Sequence, residues 1–264
     1  MSDVVLKTEN LGIRFGGLRA VDDFNIEIRQ GELVGLIGPN GAGKTTVFNL
    51  LTGVYVPTQG SVQLCGKYMN GKKPHQFVAA GVARTFQNIR LFREMSVIDN
   101  VKVALRRNYK YGFFSALLRL PSYWKQEAEG DAYARYLLSI FGLEDKADQL
   151  ASNLPYGQQR KLEIARALAT DMKLLLLDEP AAGMNPTETA ELLDCIRIIR
   201  ERFNVAILLI EHDMSLVMNI CERIQVIDYG RTIAAGLPDE IAHNPDVIAA
   251  YLGKDEDEEE GGIA

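Results

Sequence analysis

Gly38-Pro39-Asn40-Gly41-Ala42-Gly43-Lys44-Thr45, with Thr46 behind it, sets three glycines, a lysine and two hydroxyls within nine residues. The spacing fits G-x-x-x-x-G-K-[ST]. In that pattern the backbone N–H groups of a glycine-rich turn curl around phosphate oxygens, and the helix that follows adds the positive end of its dipole. Lys44 then reaches the β- and γ-phosphates of a nucleoside triphosphate, and the Thr45 hydroxyl is placed to ligate Mg²⁺. Further on, Leu174-Leu-Leu-Leu-Asp178-Glu179-Pro180 reads as a buried strand ending abruptly in two acids. Asp178 is placed to hold Mg²⁺, and Glu179 is the candidate base that orients an attacking water; phosphoryl transfer needs little beyond such positioning and charge neutralisation. A second apolar run, Ala206-Ile-Leu-Leu-Ile, ends in Glu211-His212-Asp213, and from there His212 can donate a hydrogen bond to a γ-phosphate.

The surrounding pattern supplies the elements that must bring these groups together. Val4 to Ile28 alternates apolar and polar residues between turn signals, as antiparallel strands with one buried face do. Leu33 to Ile37 is a short apolar strand leading into the glycine-rich loop and a helix over Lys44 to Leu51, and Ser61 to Leu64 continues the β pattern. From His75 to about Leu150 the reading is mostly helical, interrupted by a Tyr/Phe-rich stretch from Tyr109 to Trp124. Helices over Gly157–Leu168, Thr187–Arg202 and Ser215–Ile220 then alternate with strands over Leu174–Leu177, Val205–Ile210 and Ile224–Asp228. Short, fully apolar strands alternating with helices predict a parallel sheet covered on both faces. In such sheets ligands gather at the carboxyl ends of strands, which is where the candidate residues fall. The expected fold is α/β, a parallel core with an antiparallel edge and a helical insertion.

Charge and cysteine usage exclude several classes. The chain holds 29 Lys and Arg against 35 Asp and Glu, but six of the acids form the run Asp255 to Glu260, leaving 29 of each sign in the body. A neutral body lacks the clustered basic excess of a nucleic-acid footprint. Cys65, Cys195 and Cys221 are widely spaced and contain no C-x-x-C, so neither a zinc site nor a disulfide framework is indicated and a reducing compartment fits. The N-terminus lacks the basic start and apolar core of a signal peptide. No apolar run approaches the roughly 20 residues that span a bilayer, so the chain is expected in the cytosol or on a membrane only through a partner.

Asn153-Leu-Pro-Tyr156-Gly157-Gln158-Gln-Arg160, ahead of Asp178-Glu179, resembles the signature motif of ATP-binding-cassette (ABC) ATPases. The phosphate (Walker A) loop, Gln87, signature, Asp178-Glu179 and His212 follow in that family's order and at its spacings, from about Leu6 to Leu252. The resemblance implies the P-loop NTPase fold of ABC ATPases: one domain over 1–254, with a RecA-like core, an antiparallel β lobe and a helical subdomain inserted at about 88–170, before an acidic tail at 255–264. It implies ATP and Mg²⁺ as ligands. By motif, Phe15 matches the aromatic that stacks on adenine, Gln87 the loop glutamine that senses Mg²⁺ and touches a transmembrane partner, and Tyr156, Gly157 and Gln158 the signature residues that complete the site of an opposing cassette. It also implies three kinds of partner: a second cassette (identical or paralogous), transmembrane permease subunits and, indirectly, a periplasmic binding protein. The expected place is the cytoplasmic face of the inner membrane, with the isolated subunit soluble.

Segments such as Arg14-Phe-Gly-Gly-Leu, Arg84-Thr-Phe-Gln-Asn-Ile-Arg-Leu-Phe and Asn244-Pro-Asp-Val-Ile resemble cassettes of bacterial branched-chain amino acid importers. A lipid or lipopolysaccharide exporter's ATPase, or a soluble cassette acting on DNA or ribosomes, are the competing readings. The chain has one phosphate loop, one signature and no heptad array, which counts against the soluble kind. Two departures from the general cassette pattern stand out. Pro155 and Tyr156 replace the Ser and first Gly of Leu-Ser-Gly-Gly-Gln, leaving Gly157 and the helix N-terminus to hold an anion. Asn185 stands where many relatives have Asp, and reads either as a helix N-cap or as a residue acting across a dimer. The aromatic and basic stretch around Tyr109 to Trp124, with Arg106, Arg107 and Lys110, is expected near membrane subunits.

Six like charges in a row repel one another and bury no apolar area. Removing Asp255 to Ala264 is therefore expected to leave the melting temperature and ATP turnover nearly unchanged; a large fall in either would show that the tail docks.

Overall fold

The N-terminal alternation folds into a long hairpin. β1 (Val4–Phe15) and β2 (Leu18–Arg29) pair antiparallel, with Lys7 opposite Glu27 and Phe15 opposite Leu18. β4 (Gln59–Leu64) adds to the other edge of β1, and the two-residue β5 (Lys67–Tyr68) closes a four-stranded sheet of order β2-β1-β4-β5. The computed structural model describes residues 3–105 and 117–251.

The wholly apolar runs form a second sheet. β3 (Leu33–Ile37), β7 (Leu174–Asp178) and β8 (Ala206–Ile210) are buried at every position. With β6 (Val82–Arg84), β9 (Arg223–Asp228) and β10 (Arg231–Gly236) they make a six-stranded sheet ordered β10-β9-β3-β8-β7-β6. The pairs β6–β7, β7–β8, β8–β3 and β3–β9 are parallel, and β10 returns antiparallel on β9. Continuous Val/Ile/Leu runs suit strands covered on both faces, whereas the alternating hairpin has one wet face.

Two compact units result. One comprises the residues up to Arg84, Lys173–Glu179 and those from Ile199 onward; the other comprises Thr85–Met172 and Pro180–Ile198. The first contains both sheets and helix α1 (Lys44–Leu51), whose Phe48 and Leu51 join Leu11, Phe24 and Ile28 of the hairpin and Leu176 and Leu208 of the larger sheet in one apolar cluster. It also carries α2 (Pro74–Ala80), α7 (Met214–Ile220) and α8 (Pro238–Ala242). The second is helical. α3 (Val97–Leu105), α4 (Pro121–Ile140) and α5 (Tyr156–Leu168) pack on one another through Val97, Val101, Leu137, Leu138 and Leu162. α6 (Pro186–Phe203) runs from the second unit into the first.

The α/β architecture is as expected: the antiparallel lobe is a four-stranded sheet of its own, and β10 gives the parallel sheet an antiparallel edge. Two local expectations need correction. Val82–Arg84, inside the stretch expected to be mostly helical, is a strand, because three residues are too few to show a period and parallel pairing to Leu174–Leu176 decides their conformation. β10 went unrecognised because its mixed Arg-Thr-Ile-Ala-Ala-Gly sequence has weak β preference. Tyr109 to residue 116, and the tail at 255–264, lie outside the described residues. No helix among the described residues is long and apolar enough to cross a membrane.

The cysteines differ in environment. Cys65 is exposed, whereas Cys195 and Cys221 are buried. Burial pushes the Cys195 thiol above its usual range and the Cys221 thiol up to about 12. A thiol titration at neutral pH should therefore find one reactive group in the folded chain and three after denaturation. Rapid modification of Cys65→Ser without denaturant would contradict this packing.

Candidate active site

Three neighbouring parallel strands end at the same place. β3 runs into the phosphate loop, β7 into Asp178 and Glu179, and β8 into Glu211 and His212; the register sets Leu36 and Asp178 both opposite Ile210. The loop needs glycine for two reasons. Gly38 has φ +153, and a Cβ there would collide with the Ile227 carbonyl oxygen. Gly43 caps α1 at φ +106, where a Cβ would meet Ala20 O at 2.7 Å. Any other residue would open the turn and tilt the first N–H groups of α1 away from the cleft. Lys44 is buried, its Nζ donating to the carbonyls of Gly38 at 2.5 Å and Pro39 at 3.0 Å. These contacts draw the ammonium back over its own loop.

Glu179 occupies a left-handed backbone conformation, φ +47, which costs a non-glycine residue about 1–3 kcal/mol. Its N–H donates to Ile210 O at 2.9 Å, so the pairing of β7 with β8 holds that turn in place. The Glu179 carboxylate lies 2.6 Å, Oε1 to Nε2, from the half-exposed His212 ring. Behind them, Arg84 Nη2 donates to Asp178 Oδ2 at 2.7 Å and Nη1 to Asn49 Oδ1 at 2.8 Å. Both side chains of that ion pair are more than nine-tenths buried.

A cleft of about 220 Å³ is lined by Asn40, Gly41, Ala42, Gly43, Lys44, Thr45, Thr46, Glu179 and His212. The phosphate loop, the candidate base and the histidine therefore converge, with Gly38, Pro39 and Asp178 just beneath, buried at the strand ends. Phe15 is not part of that lining; it is exposed at the tip of the hairpin, edge-on to Tyr55 with ring centroids 5.2 Å apart.

Gln87, Tyr156, Gly157 and Gln158 belong to the helical unit. Tyr156 and Gly157 open α5, with Pro155 at the N-cap accepting from Gln159 N–H at 2.9 Å. A Cβ at Gly157 would sit 2.8 Å from Glu188 Oε1, so any side chain there would displace the Glu188 carboxylate. Gln158 Oε1 accepts from Lys146 Nζ at 2.7 Å. Glu188 and Asn185 form a reciprocal capping box at the start of α6: Asn185 N–H donates to Glu188 Oε2 at 3.1 Å, and Glu188 N–H to Asn185 Oδ1 at 2.9 Å. Asn185 thus has a capping role within its own chain.

Three contributors escaped the sequence reading. Arg84 is the first, since nothing near it in sequence names Asp178 as its partner. Arg160 on α5 is fully buried; its Nη1 and Nη2 donate to the carbonyls of Phe86 at 2.5 Å and Gln87 at 2.7 Å, and Nη1 pairs with Glu163 at 2.8 Å. Glu163 in turn accepts from Arg90 N–H at 3.1 Å, so the helix that begins at Tyr156 grips the Gln87 backbone. Tyr251 is the third: burial raises its phenol above the usual range, partly offset by a hydrogen bond with the backbone of Gly38.

Comparison with known proteins decides the family. Residues 21–182 match the model of the ABC transporter family, and residues 231–257 match that of the branched-chain amino acid ATP-binding cassette transporters. This chain belongs to the ABC transporter family. The cassette is 51% identical to the high-affinity branched-chain amino acid transport ATP-binding protein LivG of Escherichia coli (strain K12) over 254 residues, covering 96% of this chain and all of that one. It is 48% identical, with the same coverage, to BraF of Pseudomonas aeruginosa, a protein of the same description. A crystal structure of an ABC transporter's ATP-binding cassette in its ADP conformation superposes with a TM-score of 0.82 at 30% identity, covering 95% of this chain and 99% of that one. The cassette therefore has the nucleotide-binding fold of ABC ATPases.

The buried pair gives a direct test. Arg84→Met leaves Asp178 without its cationic partner and is expected to destabilise the cassette by about 3–5 kcal/mol, read from the urea midpoint. Adding Asp178→Asn should restore most of the loss. An unchanged midpoint for Arg84→Met would mean that the pair contributes nothing.

Proposed function

We propose that this cassette is the ATP-hydrolysing subunit of a branched-chain amino acid importer, and that Glu179 is its general base. The observation carrying the chemical half of this reading is the convergence of Lys44, Thr45, Glu179 and His212 on one cleft at the ends of three parallel strands. The family match over 231–257 and the LivG and BraF relatives support the transport half.

In this reading the loop amides from Asn40 to Thr46 and the Lys44 ammonium bind the triphosphate, with Lys44 exchanging its two carbonyl partners for phosphate oxygens. The donor set fits a small, hard cation: the Thr45 hydroxyl and Asp178 carboxylate are oxygen ligands, and Mg²⁺ is usually completed by water and phosphate oxygens. Mg²⁺ neutralises phosphate charge when bound. Arg84 orients the Asp178 carboxylate. Glu179 accepts a proton from the attacking water; His212, whose Nε2 lies 2.6 Å from that carboxylate, holds it and turns its N–H to the γ-phosphate when ATP binds. Phe15, exposed at the hairpin tip, stacks on the adenine. Gln87, whose backbone Arg160 holds, matches the family's loop glutamine and is the residue that would sense Mg²⁺ and touch a permease. Tyr156, Gly157 and Gln158 close over the nucleotide of a second cassette. The chain then works at the cytoplasmic face of the membrane on permease subunits, downstream of a periplasmic binding protein.

A parallel measurement of nucleotide affinity, turnover and dimer fraction for two variants tests the assignment. Glu179→Gln keeps the shape and loses the charge. ATP affinity should hold, turnover should fall by about 10²-fold or more, and unhydrolysed ATP should hold two cassettes together on a sizing column. Lys44→Ala should lose both ATP binding and the dimer. Near-normal turnover in Glu179→Gln would assign the base elsewhere, with His212 next in line.

A further inference from the structure

The start of α4 is unlike any other helix end described in this protein. Leu117, Leu118, Leu120 and Trp124 are 64%, 66%, 44% and 56% exposed, four large apolar side chains within eight residues. The helix has no buried residue before Gly130, so its first two turns rest on no core. Arg119 lies 6.0 Å from the Trp124 ring centroid, and Tyr123 meets Trp124 edge-on at 5.4 Å. Four exposed apolar side chains thus crowd one short segment, with a guanidinium beside its tryptophan. Soluble surfaces rarely expose contiguous apolar patches of this kind without a partner.

Charge identifies the partner. Residues 100–126 contain six Lys or Arg and no Asp or Glu, in a chain whose acids outnumber its bases 35 to 29. Lys102 is neutralised by Asp131 at 3.2 Å, and Lys125 has only a distant, exposed approach to Glu129 at 4.0 Å. The acids resume on α4 at Glu127 and Glu129, about 4–8 Å along the helix from Trp124, at the C-terminal margin of the patch. Tryptophan and tyrosine beside leucine, within a stretch that carries basic residues and no acid up to Gln126, is the composition that partitions into the headgroup region of a bilayer. We infer that residues 117–125 dock on an anionic lipid surface: Leu117, Leu118, Leu120 and Trp124 enter the boundary between headgroups and acyl chains, and Arg119 and Lys125 meet lipid phosphates. The contact is direct, made by the cassette itself, and none of these residues lines the ATP cleft.

Trp124 is the only tryptophan in the chain, so intrinsic fluorescence reports on this patch alone. The full chain is mixed with vesicles of phosphatidylcholine, of phosphatidylcholine with phosphatidylglycerol, and of the mixed lipids with brominated acyl chains. Expected are a blue shift and co-sedimentation with the anionic vesicles, quenching by the brominated chains, and weakening by salt. Arg119→Glu should lower partitioning roughly tenfold or more, since each basic residue near an anionic surface contributes about fivefold. Leu118→Asp should abolish the shift while melting temperature and ATP turnover stay at wild-type values, because Leu118 touches neither core nor cleft. Absence of any shift with anionic vesicles overturns the inference, and so does equal binding to neutral ones. Cross-linking of Leu118→Cys to a co-assembled permease, without quenching in brominated membranes, would also overturn it and would assign the patch to a subunit interface.

Discussion

The parallel pairing of β3, β8 and β7 governs where the reactive groups can be. Residues from three distant parts of the chain share one cleft only because Leu36 and Asp178 both lie level with Ile210. A slip of one residue in β7 would turn Asp178 from one face of the sheet to the other and move Glu179 out of reach of His212. Apolar burial on both faces of each strand, from Leu33 to Ile37, Leu174 to Leu177 and Ala206 to Ile210, holds the three in one sheet. Within runs as uniform as four leucines the register is pinned at the strand ends, by the buried Asp178–Arg84 pair and by Glu179 N–H on Ile210 O.

A well-anchored sheet can also hold strained or charged groups. Glu179 keeps a backbone conformation that favours glycine because its N–H is committed to Ile210 O and its neighbour Asp178 is buried against Arg84. An isolated turn of this sequence would relax to negative φ. The buried ion pair is itself costly to desolvate, and removing either partner alone leaves an uncompensated charge. Both features are tolerable only where surrounding packing over-determines the geometry.

The helical unit follows a similar logic with different contacts. Arg160, fully buried, ties the backbone of Phe86 and Gln87 to the helix that begins with Tyr156 and Gly157. Two motifs some seventy residues apart are therefore linked through one side chain. Two charge-assisted hydrogen bonds, each stronger than a neutral one, thus fix the backbone of Phe86 and Gln87 to the first turns of α5. Glu188 adds a second constraint, occupying the space over Gly157 while capping α6.

Much of this was legible in the chain itself. Glycine at 38 and 43, lysine at 44 and two acids after four leucines are local patterns, so the sequence alone singled out the residues from Gly38 to Thr46, Glu179 and His212 as candidates, and it indicated the α/β class. Period-two and fully apolar patterns separated the hairpin from the parallel strands for the same reason: burial on one face or two is a local property of each strand. What the sequence did not carry was pairing between distant residues. Arg84 and Asp178 lie 94 positions apart, and Arg160 lies 73 from Gln87. Neither link has a spacing rule, because each exists only once the strands and helices have packed. The three-residue β6 and the weakly patterned β10 became strands for the same reason, by gaining a partner edge. Local patterns determined which groups could react, and long-range packing, through register and buried charge, decided which of them face one another.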